Sequence, residues 1–463
     1  MKRFLISTLS AAACIGMMAQ DAKYIFYFIG DGMGLGHVNA TEIYNRDVLK
    51  NEQPLLMLTF PVASQARTYS ASSPITDSAA AGTALSTGYK TNNYMIGVTP
   101  DTVAVNSIAV DFMNDGYAVG VGTTVQADDA TPAAWYAHAA NRSMKKKIAP
   151  QAAGSGLSFL AGGGFKLGGK GDEGFPEFIE VMKKGNYEIA EGYAAFNNLK
   201  SGDKFPDKVL MYSDNPTWGQ VGYTIDSIPG AMTCAQITEA CLYTLSNANP
   251  DKFLMMIEGG NIDWAAHAND GGAVIKEILN FQDAINVAYQ FYLQHPDETL
   301  IVITADHDTG GMSFGRPGKN QNIAYADAQK ISKDLFGDWT RKWGKETVNP
   351  TWEEMENVLR DKLGFWTTVP LTDGETQQLK EMFNETFITR NGKDENTLYH
   401  TFNAFTAKAF DILNTHLGIG WTTTSHAGNF VPVYAIGANS SYFTGNLNNT
   451  EIPLLIKKAA GLK

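Results

Sequence analysis

Lys23-Tyr24-Ile25-Phe26-Tyr27-Phe28-Ile29 is a near-continuous apolar run that stops at Gly30-Asp31-Gly32-Met33-Gly34. A strand apolar on both sides has to be covered on both sides, which is the situation of a strand inside a parallel sheet. The acid just past its end lies where open parallel sheets bind ligands. The same order recurs three times. Residues 117–124 lead into Asp129, residues 253–257 into Glu258, and residues 299–304 into Asp306-His307. Helical patterns over 107–114, 132–141, 232–247 and 272–295 separate these runs. Strands alternating with helices predict an α/β fold, a mostly parallel central sheet covered by helices on both faces.

The strand pattern returns at 430–437, but residues 320–420 read differently: rich in Trp, Lys, Glu and Asn, with helical patches over 325–336, 352–363, 375–387 and 398–417. The expected organisation is a single catalytic domain over 20–463, with an inserted, mostly helical subdomain at about 320–420. Residues 1–19 read as a secretory signal: Lys2-Arg3, an apolar stretch over 4–15 too short to span a bilayer, and cleavage after Ala19. That predicts an exported protein, periplasmic or extracellular, with no stable membrane insertion. Cys14 permits a lipoprotein reading, although Ala11-Ala12-Ala13 lacks the usual large aliphatic residue. After cleavage only Cys234 and Cys241 remain. Seven residues apart on one helical face they stand roughly 10 Å from each other, too far for a disulfide. The net charge of −12 argues against nucleic acid as a partner but not against an anionic substrate held by a local metal cluster.

Residues 75–84, Ile-Thr-Asp-Ser-Ala-Ala-Ala-Gly-Thr-Ala, place Ser78 at the start of an Ala-rich helix. Alone, this reads as an N-cap, or as a hydroxyl aimed at an anion by a helix N-terminus. Around it gather the strand-end residues Asp31, Asp129, Thr131, Glu258, Asp263, His267, Asp306, His307 and His426. Asp263 and His267 are four apart and share a helical face. Five carboxylates at one sheet edge repel unless cations intervene, and three divalent ions would set +6 against their −5. Mixed His/Asp sets suit zinc; oxygen-only sets with Thr and Glu suit magnesium. Of the eight His, the other five (His37, His138, His295, His400 and His416) read as surface or core residues, His138 with the option of orienting Arg142 from the same helix. Asp77 either orients Arg142 or caps the Ser78 helix. Lys145-Lys146-Lys147 reads as a solvated face, and Trp339, Trp343 and Trp352 as packing within the insert, with the alternative that they rim the mouth of the site or a dimer contact.

The ordered set Gly30-Asp31-Gly32-Met33-Gly34, Thr76-Asp77-Ser78-Ala79-Ala80, Asp129-Ala130-Thr131-Pro132, Glu258-Gly259-Gly260-Asn261-Ile262-Asp263, Thr304-Ala305-Asp306-His307 and Ser425-His426 resembles the signature of alkaline phosphatases. The resemblance runs from about residue 23 to the C-terminus, outside the inserted region. It implies an alkaline-phosphatase-like fold, hydrolysis of phosphate monoesters, two Zn2+, one Mg2+ and a homodimer. One zinc would be held by Asp263, His267 and His426. The second would be held by Asp31, Asp306 and His307, and would touch Ser78. Magnesium would take Asp31, Thr131 and Glu258, with Asp129 bound directly or through water. Arg142 matches the phosphate-gripping arginine. Ser78 would attack phosphorus in line to give a phosphoserine intermediate, with the metals stabilising nucleophile and leaving group.

Two positions depart from common patterns in the family. Trp264 follows Asp263 where many members carry Lys or His, and Asp129 stands where some carry His; both bear on the third metal. The alternatives are a phosphodiesterase or sulfatase on the same scaffold, and a non-catalytic phosphate-binding relative. Arg142 and the Asp129-Thr131 set favour the monoesterase.

Overall fold

A computed structural model describes residues 20–167, 174–213, 219–318 and 320–463 of the 463-residue chain. The signal-peptide reading of 1–19, with Cys14, lies outside the described residues. Among those residues no helix is long and apolar enough to cross a membrane.

Among the described residues one ten-stranded sheet organises the fold. Across it lie Asn446–Asn448, Val62–Arg67, Val431–Gly437, Thr299–Ala305, Tyr24–Gly30, Phe253–Glu258, Ala118–Thr123, Phe159–Gly162, Val209–Tyr212 and Glu188–Glu191. All are parallel except Val431–Gly437, which runs against both its neighbours. The anticipated mostly parallel sheet is therefore present.

Side-chain alternation shows why the apolar runs had to be continuous. Every residue of Tyr24–Gly30 is buried. Phe26 and Phe28 point one way, onto Phe291 and Phe281 of the Gly271–Tyr292 helix. Tyr27, between them, points the other way, onto Trp135. Burying each ring contributes roughly 1.5–3 kcal/mol, so both sides must be apolar. On the Ala118–Thr123 strand, Gly120 and Gly122 leave room for Cys241, Leu245 and Ile237 of the Cys234–Ala248 helix. Cys234 and Cys241 are buried free thiols, consistent with their spacing.

The register places the chemistry. Ile29 lies opposite Glu258 and Thr304, Gly30 opposite Ala305, and Thr123 opposite Glu258. Four strands thus end at one level, and Asp31 and Asp306 leave the sheet side by side.

Several helices differ from the sequence expectation. The helix anticipated over 132–141 is one turn, Ala130–Ala133, with Asp129 at its N-cap. Ala139 then exchanges two backbone hydrogen bonds with Ile96, at 2.9 and 2.8 Å, and this pairing draws the chain out of helical geometry. His138 and Arg142 therefore do not share a helix; His138 Nδ1 lies 2.7 Å from the Gly97 carbonyl. Within 320–420 the helix Trp352–Leu363 has the expected bounds, set by a Thr351/Glu354 capping box. The patch over 325–336 instead holds a short 3-10 segment, Ile323–Asp327, and the start of Lys333–Glu346, which Ser332 caps. The patch over 375–387 is Asp373–Phe383 followed by a single π turn, and 398–417 becomes a two-stranded ribbon followed by Ala404–Leu417. Trp339 stacks on Trp343, which meets Phe383 and Phe387, while Trp352 packs on Phe383 and Trp366.

Candidate active site

The strand ends carry the first ligand set. Gly32 N and His307 N both donate to Asp306 Oδ1, at 3.0 and 2.8 Å, which pins that oxygen. Oδ2 of Asp306 is buried with no hydrogen-bond partner, as is Oδ1 of Asp31. His307 Nε2 faces both, 3.2 Å from Asp306 Oδ2 and 3.5 Å from Asp31 Oδ1. The second set stands on the short helix Asn261–His267, where four-residue spacing turns Asp263 and His267 the same way. His426 arrives from far along the chain because the two-residue strand His426–Ala427 pairs antiparallel with Asp308–Thr309. His267 Nε2 lies 3.4 Å from Asp263 Oδ1 and 3.1 Å from His426 Nε2. Within each set the ligand atoms lie within 4.8 Å of one another.

The surroundings prepare these groups for cations. His267 Nδ1–H donates to the Thr424 carbonyl at 2.7 Å, and His426 Nδ1–H to the Thr76 carbonyl at 2.9 Å. His307 Nδ1–H points at Thr309 Oγ1, 3.2 Å away, while the Thr309 hydroxyl donates to Asp263 Oδ1. Each ring is held in the tautomer that leaves Nε2 unprotonated. The facing Nε2 atoms of His267 and His426 then offer two lone pairs to one point, the arrangement of a ligand pair for one cation. Burial, with neighbouring acids, holds the Asp31 carboxyl well above the usual range. Burial pushes Asp306 to about 7 and Glu258 to about 8, and lowers His307 and His426. Anionic oxygens in so dry a site call for positive charge.

A third grouping is looser. Glu258 accepts from Thr123 Oγ1, and Thr131 Oγ1 is buried without a partner. Asp129 faces elsewhere: its Oδ1 accepts from Arg142 Nη2 at 3.1 Å and from Lys145 Nζ at 3.0 Å. Burial raises the Asp129 pKa, but Lys145 and then Arg142 hold it well below the carboxylate range.

Ser78 is the first residue of Ser78–Thr87, and Asp77, not Ser78, is the N-cap. The Ser78 hydroxyl is thereby spared from capping and lies 3.2 Å from His307 Nε2. Gly82 serves packing, since a methyl there would meet Thr131 Cα at 3.1 Å. Asp77 does both jobs raised for it: Oδ1 accepts from Ala80 N at 3.0 Å, and Oδ2 from Arg142 Nη1 at 3.3 Å. These groups open on a cavity of about 730 Å³ lined by Thr76, Asp77, Asp129, Arg142, His267 and His426, with Trp264 and Tyr399 as an aromatic wall. Trp264 stacks on Tyr399 with centroids 4.7 Å apart, and Tyr399 meets His267 edge-on.

Six of the nine expected metal ligands form the two sets; Asp129, Thr131 and Glu258 belong to neither, and Asp129 is engaged by Arg142 and Lys145. His37, His138, His295, His400 and His416 lie outside both ligand sets. The solvated reading of Lys145-Lys146-Lys147 is corrected at its first member: Lys145 is buried and ion-paired, while Lys146 and Lys147 are exposed. Neither Lys145 nor Thr309, three residues after Asp306, carried a local signal of its role. Tyr399 reaches the cleft from within 320–420, the region read as an inserted subdomain.

A family model described as alkaline phosphatase matches residues 22–158 and 219–462, passing through 320–420 and omitting 159–218. The alkaline phosphatase of Schizosaccharomyces pombe is 28% identical over 456 residues, covering 94% of this chain and 80% of that protein. Alkaline phosphatase 3 of Bacillus subtilis is 29% identical over 452 residues, covering 95% and 89%. Among solved structures, the cold-active alkaline phosphatase from a psychrophilic Shewanella sp. superposes with a TM-score of 0.77 at 28% identity, covering 94% of this chain and 99% of that one.

Proposed function

The chain belongs to the alkaline phosphatase family of metal-dependent phosphate-ester hydrolases, and on that premise we propose that its cleft cleaves phosphate monoesters through a covalent phosphoserine on Ser78. The observation that carries this reading is the position of Ser78: unburdened by capping, at a helix N-terminus, 3.2 Å from a ligand atom of the Asp31–Asp306–His307 set.

The donor sets fit the expected metals. Asp263, His267 and His426 would hold one zinc, and Asp31, Asp306 and His307 the other; unpartnered oxygens of Asp31, Asp263 and Asp306 are the coordination they lack. Magnesium would take Asp31, Glu258 and the unpartnered Thr131 hydroxyl, with Asp129 reaching it through water. When bound, these ions supply Lewis-acid charge that favours the serine alkoxide, the departing alkoxide and an ionised water.

The chain's own residues do the rest. The N-terminus of the Ser78 helix offers its dipole to the phosphate. Arg142, oriented by Asp77 and Asp129, turns its fork to the non-bridging oxygens. Ser78 Oγ attacks phosphorus, the bond to the alcohol oxygen breaks, and the alcohol leaves carrying a proton. Water then attacks the phosphoserine, freeing inorganic phosphate and restoring the Ser78 hydroxyl. We further read the chain as exported, on the order of charged, apolar and small residues over 1–19.

The test is release of phosphate from a chromogenic monoester by the metal-loaded chain, with phosphorylated Ser78 trapped at low pH and identified by mass spectrometry. Ser78→Ala and chelation should each abolish turnover. Turnover surviving both, or faster hydrolysis of a diester or sulfate ester than of the monoester, would overturn the reading.

A further inference from the structure

Arg142 and Lys145 both reach Asp129 Oδ1, at 3.1 and 3.0 Å, and both line the cavity bordered by Asp77, His267 and His426. Lys145 enters from the one-turn helix Lys145–Ile148, and its side chain is 9% exposed. A buried ammonium is costly unless it is paired and hydrogen-bonded. Here its partners are Asp129 and the Asp128 carbonyl. Asp128 is itself held: its two carboxylate oxygens accept from Lys166 N at 2.9 Å and Leu167 N at 3.1 Å. The ammonium therefore has a fixed seat at the wall of the cleft.

Charge counting shows what that seat does. Asp77 and Asp129 put two negative charges beside the single Arg142 guanidinium. Without Lys145 that ion-paired cluster would hold two carboxylates and one cation; with it the cluster is balanced. Lys166, the other lysine lining the cavity, is exposed and outside the cluster, and Trp264, at the position after Asp263, brings no charge of its own.

We propose that Lys145 is a specificity-determining residue of the phosphate pocket, the second cation that lets the cleft accept a doubly charged monoester while holding Asp129 and Arg142 in place. The inference rests on the monoesterase reading above. A dianion gains more than a monoanion from one added positive charge. At an effective dielectric near 20 and a separation of a few ångströms, the gain corresponds to about 10- to 100-fold per unit charge.

The experiment compares Lys145→Ala, Lys145→Arg and, as a control on the same basic run, the exposed Lys146→Ala in the full metal-loaded chain. It measures kcat/KM for an aryl phosphate monoester and for its methyl diester, the affinity for inorganic phosphate by calorimetry, zinc content and Tm. Expected for Lys145→Ala is a monoester kcat/KM that falls about 10- to 100-fold further than the diester's, the difference made by one unit of ligand charge, chiefly through KM and with loss of phosphate affinity. Lys145→Arg should recover most of the loss, and Lys146→Ala should match wild type. A parallel fall on both substrates, or an unchanged monoester-to-diester ratio, overturns the proposal. If wild type turns over no monoester, the parent reading fails on its own account. Phosphate binding still decides this one: lost in Lys145→Ala it stands, retained it falls.

Discussion

Asp77 divides its carboxylate between two tasks: Oδ1 caps the helix that begins with Ser78, and Oδ2 receives Arg142 Nη1 at 3.3 Å. The helix of Ser78, the proposed nucleophile, and Arg142, the proposed phosphate-binding residue, are thereby aimed by one side chain. Asp77→Asn keeps a capping oxygen but loses the charge. It should leave stability within a few tenths of a kcal/mol and weaken phosphate binding about tenfold. Asp77→Ala should lose the same affinity and in addition about 1 kcal/mol of stability. Denaturant unfolding and phosphate calorimetry on both variants check this, and equal stability of the two would refute the double role.

Thr309 joins the two ligand sets, donating to Asp263 and facing His307 Nδ1 at 3.2 Å. Thr309→Val keeps the shape and removes the link. Zinc affinity should fall about 10- to 100-fold, as for other outer partners of metal ligands. Competition against a chromogenic chelator reads this directly, and unaltered affinity would show that the hydroxyl is dispensable.

Metal removal should make stability depend on pH in a defined direction. Burial raises Asp306 from 3.8 to about 7 and Glu258 from 4.5 to about 8. Between those limits the folded, metal-free chain binds protons that the unfolded chain has released, so stability falls as pH rises. The contribution is complete below about pH 4 and lost as pH passes through 7 to 8. Thermal unfolding in chelator should thus show Tm dropping from pH 5.5 to 8.5, about the range those two groups span. Zinc and magnesium should remove most of the drop. A chelated Tm that held steady or rose would contradict this account.

Gly32 stands at φ +70°, and a methyl there would meet Thr309 Oγ1 at 2.7 Å and Asp263 Oδ1 at 2.9 Å. Gly32→Ala should cost about 1–2 kcal/mol for the left-handed backbone and displace Asp263. Elemental analysis should find the Asp263–His267–His426 site depleted of zinc; full occupancy would mean that Asp263 absorbs the shift.

What sequence alone determined was the sheet and the residues at its end. Apolar runs ending in Asp31, Glu258 and Asp306-His307 are local patterns, and a strand buried on both faces can satisfy them in few ways. The four-residue spacing of Asp263 and His267 is equally local. Tertiary structure decided which charges are buried and what each oxygen does. Lys145 looks like its exposed neighbours Lys146 and Lys147 until residues 166–167 anchor Asp128 and the chain closes over it. The helix anticipated through 132–141 yields to a pairing with Ile96 that no local pattern announces. Tyr399 joins the cleft only because the ribbon at 395–402 folds back onto Trp264. Periodicity reports which faces must be covered. Partners distant in the chain, brought together only as the core packs, settle which polar groups are desolvated and therefore what they must bind.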